Sequence, residues 1–252
     1  MKLAATVTPW ALLSLIAVAT SAGVAAEPPK PFPLTVQTRD AEGKPISRQI
    51  TIDPARTAVV VIDMWDRHWC KTYTERVGNM VPRMNQALAA ARKLGIQVVF
   101  APSDTLAFYG DAPQRKAMQA IPQQPVPATV AFDPPAPPGP TDCCECGPDQ
   151  PCKRKSYGRW SRQHPDLVIA EGDLLGDCNN GRELLNLCAG RKIDTLLYMG
   201  VASNMCVQYR SMGIRAMKRH GLKAVVVADL AGAISANGLG PDGKPDRNFT
   251  PA

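Results

Sequence analysis

The sequence predicts a three-layer, doubly wound α/β fold around a mostly parallel sheet, and three observations predict it. Residues 57–63 (TAVVVID) are apolar without alternation, as a central strand covered on both faces must be. A stretch at helical spacing follows and leads to a second apolar run at 96–101, which makes one βαβ unit. The strand–helix rhythm later resumes and brings the total to five strands.

Taken in order, residues 1–26 read as a signal peptide. Lys2 gives the positive start, 10–18 is apolar apart from Ser14, and Val24-Ala25-Ala26 fits a small-residue cleavage site. The apolar stretch is short for a membrane span, so an exported, periplasmic or secreted product is expected, with no membrane attachment after cleavage. Residues 27–56 form an N-terminal extension. It is Pro-rich at first, then alternates weakly over 34–52 as a short hairpin or edge strand that turns at Gly43-Lys44-Pro45.

The main domain is expected over 57–233. After the first strand, Asn79 reads as a helix cap with Pro82 in the first turn. Val81, Met84, Leu88, Ala91 and Leu94 recur at helical spacing, and Gly95 stops the helix. An irregular Cys- and Pro-rich insertion, about 108–165, holds a helix candidate at 114–120. A third strand is expected at 167–171, a helix at 181–189 and a fourth strand at 194–199. A helix capped by Ser203 then runs to about His220, and a fifth strand follows at 222–229. The tail 234–252 is rich in Gly, Pro, Asp and Asn, where a further helix packing on the sheet would be expected.

Length and charge narrow the function. The chain has 252 residues, 45% of them hydrophobic, which suits one domain with a sizeable core. Its net charge is +7, and loss of Lys2 with the leader leaves +6. The basic residues are scattered and aromatics make up only 6%, so the stripe that nucleic-acid binding requires is lacking. The expected partner is a small-molecule substrate.

In open α/β sheets, sites form beyond the carboxyl ends of the strands. Asp63 ends the first strand, and the segment Gly200-Val201-Ala202-Ser203-Asn204-Met205-Cys206 leaves the fourth and enters a helix. A thiol at a helix start meets backbone N–H groups that favour a thiolate and can hold an oxyanion. A carboxylate on a neighbouring strand can take the thiol proton and deliver it to a leaving group. That pairing suits acyl transfer through a covalent intermediate.

Residues 58–64 (AVVVIDM) and 196–207 (LLYMGVASNMCV) resemble the opening strand and the nucleophile segment of the isochorismatase-like cysteine hydrolases, and 214–221 and 224–229 continue the likeness. The resemblance spans roughly 57–101 and 166–233 and implies a Rossmann-like sheet. It makes Cys206 the nucleophile and Asp63 the acid/base. It places a cis peptide at Val201–Ala202 and oxyanion donors at the N–H groups of Ala202 and Cys206. It also implies a lysine at the end of the third strand, where this sequence has Glu171. A glutamate there would raise one carboxyl pKa by like-charge repulsion, and Lys153 or Lys155 could fold back to replace the cation. The reactions implied are hydrolysis of a small amide, carbamoyl or related compound, or vinyl-ether cleavage without a nucleophilic cysteine. Loss of the lysine instead suits a non-catalytic binding protein. Members of the family self-associate, so a homo-oligomer is among the expectations.

The nicotinamidases of that family hold a metal with an Asp and histidines. Asp66 and His68 follow strand one, but Pro102-Ser103-Asp104-Thr105 after strand two has no histidine, so no metal or other cofactor is expected. Trp65, Trp69 and Tyr73 either line the pocket mouth or pack as core aromatics, with Asn204 also at the pocket. Of the eight cysteines, Cys143, Cys144, Cys146 and Cys152 suit disulfides stapling a loop, with Cys70 a further candidate, better than the paired spacing of a zinc site. His220, at the far end of a continuous helix from Cys206, is too distant to serve it, which leaves His68 and His164 as histidine candidates.

Overall fold

The computed structural model describes residues 29–68, 71–125 and 158–233. The expected signal peptide, Trp69, Cys70, the Cys143–Cys152 cluster, Lys153, Lys155 and the tail from residue 234 lie outside them.

Strands β1 (Phe32–Arg39) and β2 (Pro45–Ile52) form an antiparallel hairpin that is its own two-stranded sheet rather than an edge of the main one. The main sheet comprises β3 (Thr57–Ile62), β4 (Gln97–Ala101), β5 (Leu174–Leu175), β6 (Thr195–Val201) and β7 (Lys223–Gly232). Its order is β5-β4-β3-β6-β7 and every pairing is parallel. The chain winds outward from β3 on one side and restarts at β6 on the other, so the switch point lies between these neighbours. That is where such sheets open a crevice beyond their carboxyl ends.

All six residues of β3 are buried, and they divide by alternation. Val59 and Val61 meet the helix α1 (Lys71–Lys93), through Val77, Val81, Met84 and Leu88. Ala58, Val60 and Ile62 meet a second cluster with α2 (Pro113–Gln119), α3 (Gly181–Arg191) and α5 (Ile214–Arg219). The three layers follow from this division. Arg115 on α2 donates to both oxygens of Glu183 on α3, at 2.7 and 2.8 Å, and ties two helices of one layer.

Three expectations are corrected. First, α1 starts well before Asn79, and Pro82 lies inside it. The apolar spacing reaches back through Val77 and Tyr73, and Pro82 is on the exposed face, where water can take the carbonyl of Gly78 that its missing N–H leaves free. Second, the third strand is Leu174–Leu175, not 167–171. Residues 167–170 run irregularly beside α1, held by Asn85 and Asp173: Val168 N–H donates to Asn85 Oδ1 at 3.0 Å and Ala170 N–H to Asp173 Oδ2 at 2.7 Å. Third, the helix expected from Ser203 to His220 is two short ones, α4 (Cys206–Tyr209) and α5, with Met205 rather than Ser203 at the first cap. Met212 N–H turns away to the carbonyl of Cys178, at 3.2 Å. A Cβ on Gly213 would stand 2.8 Å from Arg210 O, so the chain closes tightly between the two helices.

Candidate active site

The switch point brings Asp63 and Cys206 together. Asp63 follows β3 with φ 47° and is fully buried. Ser103, just beyond β4, donates its backbone N–H to Asp63 Oδ1 at 2.5 Å and its Oγ–H to Oδ2 at 2.8 Å. The Cys206 thiol lies within hydrogen-bonding reach of the same carboxyl. Burial drives the Asp63 pKa up to about 6, against the opposing pull of Arg210 and Ser103. Burial likewise pushes the Cys206 thiol up to about 12, and the neighbouring Asp63 charge adds to it. Near neutral pH the pair therefore rests as a thiol beside a carboxylate. The preformed thiolate expected from a long helix is absent because burial and the Asp63 charge hold the proton on sulfur, and α4, a single turn, brings little dipole to oppose them.

Arg210 supplies the cation. It lies four residues beyond Cys206, within hydrogen-bonding reach of that sulfur, and its Nη1 donates to Asn179 Oδ1 at 2.7 Å. Burial alone would lower its pKa, but Cys206 and Asp63 outweigh that and raise it. Glu171 is not part of this group. It sits in an exposed turn before β5, on the amino side of that strand. The residues beyond the carboxyl end of β5 are Gly176, Asp177 and Cys178. Cys178 is buried within reach of the Ser103 hydroxyl, and its thiol is held well above the usual range by burial and the Asp63 charge.

The Val201–Ala202 peptide is cis. In the turn that follows, the N–H groups of Ser203, Met205 and Val207 bond Gly232 O, Ala202 O and Ala202 O at 2.7, 3.0 and 3.1 Å. Among the described residues those of Ala202 and Cys206 stay outside that network. Asn204 is half-buried in the same turn.

Trp65 and Tyr73 are both buried, each 3% exposed. Trp65 packs against both His68 and Trp160, with ring centroids 5.2 and 4.6 Å apart, and those two rings lie 5.8 Å from each other, so the three form a triangular cluster. Tyr73 donates its hydroxyl to Gly232 O at 3.1 Å. Asp66 accepts the N–H and Oγ–H of Ser161 at 2.9 and 2.6 Å, so it anchors residues 158–164 across the sheet end. Burial lowers the His68 pKa to about 4. His164 packs toward Gly78 on α1, and neither histidine is among the groups acting on Cys206. His220 caps α5, beside a cleft lined by Cys188, Ile193 and Leu222.

Solved structures similar to this chain include a cysteine hydrolase from Pseudomonas syringae pv. phaseolicola 1448A, 20% identical over 75% of this chain and 78% of that one, with a TM-score of 0.45. An isochorismatase from Pseudomonas putida KT2440 is 16% identical over 71% and 72%, with a TM-score of 0.41. A pyrazinamidase/nicotinamidase from Streptococcus mutans UA159 is 15% identical over 71% and 88%, with a TM-score of 0.40. No protein-family model and no curated protein matches the sequence.

Proposed function

We propose that the chain is an exported cysteine-dependent hydrolase of the isochorismatase-like kind, acting on a small amide, carbamoyl or related compound. The observation that carries this reading is the enclosed Cys206–Asp63 pair with Arg210 beside it. Cys206 attacks the carbonyl carbon while Asp63 takes the thiol proton, and the N–H groups of Ala202 and Cys206 face the oxyanion. Asp63 then protonates the leaving nitrogen as the C–N bond breaks, which leaves a thioester. Water attacks the thioester with Asp63 as base, the acid departs and the thiol regains its proton. Arg210 offsets the negative charge shared by sulfur and carboxylate.

The raised Asp63 pKa also suits an acid that protonates a vinyl ether, the second reading. Trapping separates the two: acid-quenched amide turnover should leave an acyl mass on Cys206, and vinyl-ether cleavage should not.

The reading also fixes a pH profile. The base must be ionised, so kcat/KM should rise with pH through an inflection near the Asp63 value of about 6. The thiol, at about 12, should add no second inflection in the neutral range. Arg210 lowers the Asp63 pKa, so Arg210→Met should move the inflection upward as well as slow turnover. An unmoved inflection would mean that Arg210 only props the turn.

The same shift has a stability sign. Between the ordinary carboxyl range and about 6 the native state holds a proton that the unfolded chain has lost. The Asp63 contribution therefore favours the fold at lower pH and fades as pH rises through about 6.

A further inference from the structure

Beside the catalytic pair, one corner of the protein carries polar atoms that its fold does not use. Among the described residues Trp65 Nε1, Thr105 Oγ1 and both amide atoms of Gln163 are buried without a hydrogen-bond partner. The three residues are 3%, 3% and 2% exposed. Native interiors satisfy nearly all such groups, and each one left alone costs about 1–3 kcal/mol. Four on three neighbouring residues is a concentration that calls for a physical reason.

The residues converge from three segments. Trp65 and Gln163 are directly opposed across an antiparallel bridge, which sets their side chains on one face. Gln163 N–H donates to the Tyr109 hydroxyl at 2.9 Å, and Tyr109 lies in the short 3-10 helix Leu106–Tyr109 that Thr105 precedes. Trp160, stacked on Trp65, donates its Nε1–H to Ser103 O at 3.2 Å, and Ser103 holds Asp63. The corner is therefore linked to the Asp63 side of the catalytic pair through Trp160 and Ser103.

We propose that Trp65, Thr105 and Gln163 form a recognition subsite for an uncharged group that both donates and accepts hydrogen bonds, such as a ureide or second amide in the non-reacting part of the substrate. The chemistry of the set selects that class. The indole offers a donor, the carboxamide one donor group and one acceptor, and the hydroxyl either. None of the three carries charge, and the near-parallel ring planes of Trp65, His68 and Trp160, within 22° of one another, favour a planar group. The inference rests on the proposed hydrolase reading only in calling the occupant a substrate.

The test uses hydantoin, a planar neutral ureide, with cyclopentanone as a ring that accepts but does not donate. Binding is read by thermal shift on Cys206→Ala protein, where turnover plays no part. Hydantoin should raise Tm and cyclopentanone should not. Gln163→Leu keeps the volume and removes two lone polar atoms, so it should raise the Tm of the free protein by about 4 °C and abolish the hydantoin shift. Trp65→Phe should weaken hydantoin about tenfold. A Gln163→Leu protein that melts lower, fails to fold or keeps the full hydantoin shift overturns the subsite, as does equal binding of cyclopentanone. Hydantoin binding without any amide turnover overturns only the hydrolase reading, and turnover without hydantoin binding only the subsite.

Discussion

Cys206→Ala is expected to lower amide turnover by at least about a thousandfold while the fold persists. The magnitude follows from how a nucleophile acts. Without it the acyl-enzyme route closes, and only binding and the oxyanion donors remain, which elsewhere leaves losses of this order or larger. Persistence of the fold follows from position. Cys206 borders both apolar clusters but belongs among the fully buried residues of neither. Removing a sulfur there should cost about 1 kcal/mol. Circular dichroism and Tm check the fold, and steady-state kinetics check the loss. A variant that keeps a tenth or more of wild-type turnover would sink the covalent mechanism. Cys206→Ser sharpens the test: a hydroxyl beside Asp63 is a much poorer nucleophile, so it should be nearly as inactive.

Gly200→Ala is expected to unfold the chain or leave it with a small fraction of its stability. Gly200 pairs with Ile62 at the switch point and has φ 108°. A Cβ there would stand 1.9 Å from Ile62 O, a backbone atom of the central strand. Neither strand can step aside without opening both clusters, so the loss should exceed about 4 kcal/mol, at the severe end for single substitutions. A Tm fall of more than about 10 °C is the corresponding reading. Gly221→Ala is the control. Its φ of 83° carries the backbone cost alone, since nothing lies within 4 Å of the added carbon. That change should cost about 1–2 kcal/mol. Equal urea midpoints for the two variants would contradict the close approach.

Much of the architecture was legible because it rests on periodicity. Unbroken apolar runs marked β3, β4 and β6, and helical spacing marked α1 and α3. The misreadings came where local chemistry competed with longer patterns. Pro82 looked like a helix start because proline suits first turns, yet Tyr73 and Val77 carry the apolar face beyond it. The apolar residues 167–170 looked like a strand, but Asn85 and Asp173 hold them off the sheet, and only two residues farther on pair with β4. That error displaced the expected cation site onto Glu171.

The Asp63–Cys206 pair was legible from the strand ends, but its surroundings were not. Ser103 was read only for what the loop after β4 lacks, a histidine, and not for its hydroxyl. Cys178 had no place in the reading of the site, yet it is a buried free thiol within reach of the Ser103 hydroxyl. Arg210 left a signal that was missed: four residues after a candidate nucleophile on a helix, a side chain stands on the same face. The partnerless atoms of Trp65, Thr105 and Gln163 belong to residues far apart in sequence, and no spacing rule exposes them.

The break between α4 and α5 puts the sulfur and its guanidinium neighbour on a single turn of chain. A shift of that turn against the sheet would move both backbone positions together and change the gap to the β3 carboxyl, while Asn179 anchors the guanidinium from outside the turn. Charge compensation is thus built into one short peptide, and proton transfer depends on how that peptide docks.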